Sequence, residues 1–501
     1  MIRPRLHALA SAAALAAVAL LAAILAGGCG TTGSLSPNTP PETVIFVSGP
    51  VDTVNHVVRL RWLGSDSDGQ VVRFEYKWIY EAGQEPAGYD SAAWSSTTKT
   101  DSTFTVFTPS GYSMPQFVVR SVDDAGDADP TPARQFFQFS NQPPTLAIVG
   151  TPRLPPSTLP VLTVRWASTD PDGNINQANY LVWLDGDESN ARLVPPGNQF
   201  TLTPDFFDDG AGGYETGPHT VYVQAVDAGG SASPPDTASW VVRAPEGDVL
   251  LVDDVPASLG TAADQAYRAA FDLQLGVGPG TYTLINIDAA NPFRTPEDIA
   301  ATFAFFQSVV WYQDNSTGRS PMLSLSESAI RSSLAAGRNV YVCSVTLVGT
   351  NAALPSPDFL GEIVGADSVR LNPKTGTSNF SINNNSLLHP GSNVPYDSLS
   401  AVVISTNVDA LALRNANEVA FLGKPIVIDS TQVDDWFVGV DRVPSGGTGR
   451  FVFLSFPLRF MGNTPPGAPA PAPDPNYAAK TVRRVLYRFG HGAPVSAGIG
   501  L

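Results

Sequence analysis

Cysteine, histidine and basic side chains are all scarce in this chain of 501 residues. Two cysteines and five histidines are too few for zinc sites of the cysteine-rich kind. Lys and Arg number 29 against 46 Asp and Glu, which gives a formal net charge of −17. Because phosphate backbones are bound by clustered Lys and Arg, this balance argues against a nucleic-acid partner. The sequence also lacks the His-Glu-x-x-His, P-loop and Gly-x-Ser-x-Gly motifs, so the corresponding chemistries have no sequence support.

The first thirty residues have the three-part pattern of an export signal. Arg3 and Arg5 form a basic start, an apolar run follows, and small residues precede Cys29. The stretch Leu25-Ala26-Gly27-Gly28-Cys29 resembles the bacterial lipobox. That resemblance implies lipid transfer to the Cys29 sulfur, cleavage before it, and acylation of the new amino terminus, for example with palmitate. An uncleaved transmembrane anchor is the alternative, because about 20 apolar residues can span a bilayer.

The lipobox resemblance sets the expected processing and location. Residues 1–28 would be the lipoprotein signal peptide, and residues 29–42, rich in Gly, Ser, Thr and Pro, would be a tether. With lipid on Cys29, Cys343 has no cysteine partner and no intramolecular disulfide can form. Gly30 is not the Asp that marks inner-membrane retention in some enteric bacteria, which favours the outer membrane. We therefore expect a lipid-anchored protein of the bacterial cell envelope, facing the periplasm or the cell surface.

The middle of the chain contains the same unit twice. Arg61-Trp62 and the following Asp-x-Asp-Gly recur as Arg165-Trp166 and a second Asp-x-Asp-Gly, and Tyr76 recurs as Tyr180. Short runs that alternate apolar and polar residues, bounded by Gly, Asp and Pro, predict half-buried strands. Repeats of this length are domains rather than solenoid turns, and about 100 residues of such strands predict a β-sandwich.

These repeats resemble the fibronectin type III and other immunoglobulin-like modules of bacterial surface proteins. The motifs that carry the resemblance are the two tryptophans, the Asp-x-Asp-Gly turns, and the Val-Asp-x-x-Gly stretches that contain Asp123 and Asp227. The resemblance implies two sandwiches, at residues 43–140 and 144–243, with Trp62 and Trp166 in their cores. It is specific for fold and not for ligand.

The acidic turns of the repeats allow two interpretations. Calcium binds six to eight oxygens, often from closely spaced carboxylates. The candidate ligands are Asp66, Asp68 and Asp123 in the first copy, and Asp170, Asp172 and Asp227 in the second. The alternative is that Asp and Gly form the turn, with each Asp side chain bonded to its own backbone. No other cofactor is expected.

From Gly247 the pattern changes to apolar strands that alternate with helical stretches. Runs such as Val249–Val252 and Val309–Tyr312 predict buried parallel strands, with helices on both faces of the sheet. The order of Val-Leu-Leu-Val-Asp-Asp, Val-Val-Trp-Tyr and Ala-Ala-Gly-Arg-Asn-Val-Tyr-Val resembles class I glutamine amidotransferase-like domains of secreted bacterial proteins. That resemblance implies a flavodoxin-like α/β domain at residues 247–490.

The amidotransferase chemistry itself is not predicted. An active enzyme needs a cysteine on a glycine-flanked elbow, with a histidine as general base. Cys343 has no flanking glycine, and neither His389 nor His491 stands in a His-x-Glu pair. We interpret Cys343 as a small buried apolar residue, and we assign no catalytic residue.

Four acidic residues follow the apolar strands of this half and could form a ligand pocket: Asp253, Asp254, Asp288 and Asp314. Open α/β sheets bind ligands at the carboxyl ends of their strands, although acids there also cap helices. Two hypotheses follow. The chain is a non-catalytic envelope lipoprotein, with the sandwiches as spacers and the α/β domain as a head that binds an envelope glycan or protein. Alternatively, it is a hydrolase or transferase of an envelope polymer that uses these carboxylates.

Overall fold

The chain divides into two compact units in the computed structural model. The first unit runs to Gln142 and also includes Ala228–Ser231, and the second comprises Pro143–Asp227 and the chain from Ala232 onward. The structure describes residues 37–52, 56–108, 111–171, 175–313, 321–344, 356, 358–369, 379–383, 387–394, 396–397, 399–401, 405–423, 436–458, 461–462 and 475–495. Over these residues, none of the helices has the length and apolar character needed to span a membrane.

The described part of the first unit is built from antiparallel strands. They are β1 (Glu42–Val47), β2 (Val57–Ser65), β3 (Val71–Ile79), β4 (Ser95–Thr97), β5 (Asp101–Thr105), β6 (Gly111–Ser113), β7 (Gln116–Asp123), β8 (Ala133–Phe136) and β9 (Phe139–Asn141). The strand orders are β1-β2-β5 and β4-β3-β7-β8, and β6 pairs with β9. Three strands facing four are the arrangement of an immunoglobulin-like sandwich, as the sequence predicts.

Strand β2 illustrates why this sequence forms a sandwich. Val58, Leu60 and Trp62 alternate with exposed residues, and all three are fully buried in the core between the two sheets. Phe74 of β3 and Phe117 of β7 supply the facing side of that core. A period of two therefore separates the core face of the strand from its outer face.

The second sandwich opens the second unit. Its strands are β10 (Thr145–Ile148), β11 (Ser157–Thr158), β12 (Leu162–Thr169), β13 (Asn179–Leu184), β14 (Arg192–Val194), β15 (Gln199–Leu202), β16 (Gly217–Val226) and β17 (Asp236–Val242). Short 3₁₀ helices lie at Ile175–Gln177, Glu188–Asn190 and Pro204–Phe207. The strand orders are β10-β12-β15 and β11-β17-β16-β13-β14.

The two sandwiches share the details that the repeat predicts. Trp62 lies opposite Ile45 on the neighbouring strand, and Trp166 lies opposite Ile148 in the same way. Both tryptophans are buried. The acidic turn after β7 closes with a bridge between Val122 and Ala128, and a bridge between Val226 and Ala232 closes its counterpart after β16. The internal repeat is therefore a repeat of structure as well as of sequence.

The α/β domain contains the remaining strands. They are β18 (Val249–Asp253), β19 (Thr283–Asn286), β20 (Ser308–Gln313), β21 (Asn339–Ser344), β22 (Ala366–Val369), β23 (Asn379–Asn383), β24 (Leu387–Pro390), β25 (Leu399–Ala401), β26 (Ser405–Asp409), β27 (Leu411–Leu413), β28 (Val419–Gly423), β29 (Trp436–Arg442), β30 (Phe451–Leu454) and β31 (Met461–Gly462).

Most of these strands form one sheet, and helices cover both of its faces. They are α1 (Ala257–Leu275), α2 (Ile287–Ala290), α3 (Pro296–Phe303), α4 (Pro321–Leu325), α5 (Glu327–Ala335) and α6 (Pro475–Arg488), with a π-helical turn at Phe359–Val364 and a 3₁₀ turn at Ala416–Glu418. Apolar residues of α1 and α6 fill the core on one face, and those of α3 and α5 fill the core on the other. A capping box between Thr295 and Asp298 begins α3.

The sheet is mixed, which corrects the prediction of a parallel sheet. Strands β19, β18, β20, β21 and β30 are parallel neighbours in that order. From β30 the sheet continues antiparallel through β29, β28, β24, β25 and β31. A parallel neighbour needs a crossover of a dozen or more residues, and only residues 443–450 join β29 to β30. These two strands must therefore pair antiparallel.

The second sandwich packs directly on the α/β domain within the same unit. The Thr163 hydroxyl is 3.2 Å from the Thr295 hydroxyl at the start of α3. The Arg165 guanidinium donates to the Arg294 carbonyl at 2.6 Å. Leu159 belongs to the same apolar cluster as residues of α3 and α5. The outer face of the β10-β12-β15 sheet is thus part of an interdomain interface.

Candidate functional site

Four adjacent parallel strands of the α/β domain end in polar residues. Asn286 is the last residue of β19, Asp253 of β18, Gln313 of β20 and Ser344 of β21. Asp253, Gln313 and Ser344 are buried, and Asn286 is half-buried. Because the strands are parallel, all four ends lie at one edge, the edge where open α/β sheets bind ligands. We call this edge of the sheet, with the side chains that surround it, the carboxyl edge.

Asp253 is the most perturbed acid at the carboxyl edge. Its carboxylate accepts hydrogen bonds from the Val255 amide at 3.2 Å and from the Asn286 side-chain amide at 2.8 Å. Burial, and then the charge of Asp264 on α1, raise the pKa of Asp253 to about 6. The Tyr312 hydroxyl donates to Asp264 at 3.0 Å. The edge thus holds two neighbouring carboxyl groups, of which one keeps a proton more readily than a free Asp does.

Asp254 has a different environment one residue further on. Its Oδ2 accepts from the Trp311 indole nitrogen at 3.0 Å and from the Gln313 amide at 3.3 Å. The Ser344 hydroxyl in turn donates to Gln313 Oε1 at 3.0 Å. These bonds connect the ends of β18, β20 and β21, so Asp254 fixes the side chains around it.

Buried tyrosine side chains pack against one another next to the carboxyl edge. The rings of Tyr267 and Tyr312 stack with centroids 4.0 Å apart and planes 5° from parallel. The hydroxyls of Tyr267 and Tyr341 are 3.0 Å apart. Burial is the largest cause that raises the pKa of Tyr312, so its hydroxyl stays protonated and remains a donor to Asp264. The site is therefore held on rigid elements.

Cys343 and His491 lie at opposite ends of the parallel strands. Cys343 is fully buried, and its thiol donates to the Phe456 carbonyl at 3.2 Å. The ring of His491 bonds through Nε2 to the Ser308 hydroxyl at 2.8 Å, and burial lowers its pKa. Ser308 begins β20, whereas the partner of Cys343 on that strand is Tyr312, about 13 Å further along it. Cys343 and His491 are thus not a catalytic pair, and the side chain of His389 lies outside the described residues.

The remaining acids of the predicted pocket lie elsewhere or are not described. Asp288 is exposed in the short helix α2 that follows β19. Asp314 lies outside the described residues, as does Cys29 at the predicted lipidation site. Of the predicted acids, the structure therefore places Asp253 and Asp254 at the carboxyl edge. Among the residues that the structure describes, no group of three or more His, Cys, Asp or Glu side chains is arranged to hold a metal ion.

The acidic turn of the first sandwich is filled by hydrogen-bond donors. Asp123 is buried and accepts from the Asn38 side-chain amide at 2.7 Å and from the Asp127 backbone amide at 2.8 Å. The Asn38 bond is the largest cause that lowers the pKa of Asp123. Asp66 accepts from the backbone amide of Asp68, and Asp68 accepts from that of Thr39, both at 3.1 Å. These bonds favour the turn interpretation over the calcium interpretation.

The second acidic turn is described only in part. Asp170 follows β12 and is half-buried, and Asp227 follows β16 and is buried. Asp172 lies outside the described residues. The second set of candidate calcium ligands therefore stays a prediction.

Sequence reasoning missed Asp264, Asn286, Tyr312 and Gln313. Asn286 and Gln313 carry a signal that the sequence does show, because each ends an apolar strand run with an amide. The sequence around Asp264 carries no such signal, because Asp264 lies within a helix and approaches Asp253 only through the packing of α1 on the sheet.

No family model matches this chain, and no curated protein matches it. The fibronectin(III)-like modules of CbhA from Clostridium thermocellum are 18% identical at a TM-score of 0.18, over 40% of this chain and 95% of that one. The FN1–FN3 domains of chicken CNTN1 are 15% identical at 0.19, over 43% and 70%. The PKD1 domain of Vibrio anguillarum Epp is 18% identical at 0.14, over 21% and 98%. At such TM-scores these likenesses carry no inference, and the fold assignment rests on strand order and register.

Proposed function

We propose that this chain is an exported lipoprotein of the bacterial cell envelope, anchored through Cys29, with a non-catalytic binding head. The fibronectin type III-like sandwiches serve as spacers, and the amidotransferase-like α/β domain binds the ligand. Within the second unit, the spacer role fits a sandwich that packs firmly on the head through Thr163 and Arg165.

The single observation that carries the non-catalytic part is the environment of Cys343. A nucleophilic thiol must be accessible and close to a base. Cys343 is fully buried, its thiol donates to the Phe456 carbonyl, and His491 bonds to Ser308 at the other end of the strands. Burial also disfavours the thiolate that such chemistry needs. A head that keeps the fold without a reactive cysteine is suited to recognition.

The carboxyl edge is the binding surface in this proposal. Its half-buried polar groups are the carboxylate of Asp264 and the amide of Asn286, and Asn286 donates to the buried Asp253. Carboxylates and amides together bind hydroxyl groups well, because each can complete a hydroxyl's donor and acceptor bonds. An envelope glycan is therefore the favoured ligand, with a polar protein surface as the alternative.

A binding experiment tests the head. Residues 30–501, which contain every described residue, would be measured against fragments of envelope glycans by calorimetry. We expect Asn286→Ala and Asp264→Asn each to weaken binding about tenfold, because each removes a polar group at the edge. Asp288→Asn, an exposed change in the next helix, is the matched control, and Cys343→Ala should leave the affinity unchanged. Equal binding by all four variants would place the ligand elsewhere.

A labelling experiment tests the anchor separately. The full chain expressed in a bacterium should incorporate labelled palmitate, and Cys29→Ala should accumulate as an uncleaved precursor without label. A wild-type chain that carries no label would reject the lipoprotein assignment. It would not affect the binding result, because that measurement uses the chain without Cys29.

One observation favours a second function, an enzyme that acts through carboxylates. A pKa of about 6 at Asp253, beside Asp264, suits a general acid near neutral pH. In that case purified protein should degrade an envelope polymer, and Asp253→Asn should abolish this turnover. Unchanged turnover in this variant would return the carboxyl edge to a binding role.

A further inference from the structure

The outer face of the β1-β2-β5 sheet in the first sandwich carries an unusual set of exposed residues. Val44, Phe46 and Leu63 are 50%, 50% and 49% exposed. Val44 lies opposite Leu63, and Phe46 lies opposite Arg61, so the three apolar side chains are neighbours on one face. A solvent-facing sheet surface is normally polar, and a contiguous apolar patch marks an interaction site. We call these residues, with Arg59 and Arg61, the outer patch.

In the second sandwich the same face is covered in part by the α/β domain. Alignment of the two tryptophan pairs places Arg165 at the position of Arg61 and Thr163 at that of Arg59. Thr163 is fully buried, and it contacts Thr295 of the α/β domain, while Arg165 donates to a backbone carbonyl. At the positions of Val44, Phe46 and Leu63 the second sandwich has Ala147, Val149 and Ala167, which are exposed, so the α/β domain covers this face only around Thr163 and Arg165. The first sandwich therefore has more apolar surface on this face and nothing from its own unit to cover it among the described residues.

The charged residues of the outer patch indicate the chemistry of its partner. Arg59 and Arg61 are exposed, and neither forms an ion pair with a described carboxylate. The acids on this face are Glu42 and Asp101, and Asp101 lies opposite Arg61. The two exposed arginines can therefore bind anionic groups beside the apolar side chains. Apolar side chains flanked by arginines are the composition that inserts at a phospholipid headgroup boundary.

The outer patch lies close in sequence to Cys29, and this part of the proposal rests on the lipid anchor proposed there. Strand β1 begins at Glu42, 13 residues after Cys29 (42 − 29), so a fully extended tether reaches at most about 45 Å. A short tether holds the first sandwich at a high effective concentration beside the bilayer. Weak insertion of three apolar side chains is then enough to maintain contact.

We propose that the outer patch of the first sandwich docks on the phospholipid surface, with Phe46 inserted at the headgroup boundary and Arg59 and Arg61 on lipid phosphates. The patch would orient the sandwich on the membrane that carries the anchor. The lipid anchor would then be one of two contacts that the protein makes with the membrane.

Vesicle co-sedimentation of residues 30–501 tests the patch without the anchor. The vesicles would contain phosphatidylethanolamine and phosphatidylglycerol, with pure phosphatidylcholine for comparison. We expect binding to the anionic vesicles that falls about tenfold in Phe46→Ser, since that change removes one large apolar contact. The double variant Arg59→Ala/Arg61→Ala should lose a similar factor and most of the salt dependence.

The control is Leu193→Ser on β14 of the second sandwich, because Leu193 is 67% exposed without belonging to the patch. It should bind as the wild type does. All of these residues are exposed, so the variants should fold, and circular dichroism checks this. Absence of binding by the wild type, or equal binding by Phe46→Ser, would overturn the proposal. A dimer that Phe46→Ser dissociates would overturn it too, in favour of a second copy. Because the fragment of residues 30–501 lacks Cys29, failure of palmitate labelling and failure of the patch are separate results.

Discussion

Asp123 and Asp253 are each the last residue of a strand, and both are buried, yet their pKa values shift in opposite directions. In the first sandwich, Asn38 and backbone amides donate to Asp123, and its pKa is lowered. In the α/β domain, burial and the facing Asp264 raise the pKa of Asp253 to about 6. The comparison teaches that the partners of a carboxyl group, and not its position in the strand, set the direction in which its pKa shifts.

Asp254→Ala should give the largest loss of stability. It tests whether Asp254 has a structural role that its neighbour Asp253 does not have. It leaves the Trp311 indole and the Gln313 amide without their acceptor in a buried site. We expect a loss of about 2–5 kcal/mol in the free energy of unfolding, measured by urea denaturation. Asp68→Ala, an exposed acid in the turn of the first sandwich, is the control and should cost much less. Comparable losses would mean that Asp254 is not a structural acid.

Asp253→Asn should instead increase the free energy of unfolding at neutral pH. A raised pKa means that protonated Asp253 favours the folded state, and this stability is lost as pH rises from about 4 through about 6. The variant should therefore be more stable than the wild type at pH 8, by about 1–3 kcal/mol, and show a flatter pH dependence above pH 4. Unfolding curves at pH 4, 6 and 8 provide the measurement. A variant that is less stable at pH 8 would contradict the buried-acid interpretation.

Asp123→Asn should give the smallest effect and the reverse pH dependence. With a lowered pKa, ionised Asp123 stabilises the fold at neutral pH, and this contribution is lost as pH falls through the folded-state pKa. The variant should thus melt earlier than the wild type at pH 7 and approach it at acidic pH. Calcium should not change either melting temperature. A calcium-dependent rise that the variant lacks would instead support the metal interpretation of the turn.

The sandwiches were predictable because their signals are local. Alternation around Trp62 and Trp166, and turns of Asp and Gly, specify strands and their inward faces without knowledge of distant residues. The parallel strands were also predictable, since apolar runs such as Val249–Asp253 are separated by helices. The antiparallel part was not, because strands such as β28 and β29 pair through contacts that no local period reveals.

The carboxyl edge was predictable only in part, for a related reason. Asp253 and Asp254 follow an apolar strand and so could be placed at its end from sequence. Their roles could not, because they depend on Asp264 from α1 and on Trp311 from the next strand. Sequence spacing therefore gives the location of an acid in the fold but not the groups that set its ionisation.

The contact between the first and last helices of the α/β domain has a consequence for the order of folding. Tyr267 and Phe271 of α1 share one core with Val485 and Leu486 of α6, and β30 pairs with the much earlier β21. A chain that emerges amino terminus first can complete each sandwich as soon as its own last strand appears. The α/β core must wait until Phe489 has emerged, and contacts of such long sequence separation form slowly. During that interval the apolar strands from Val249 onward lack their partners, so we expect this segment to be the part of the unfolded chain most prone to aggregate.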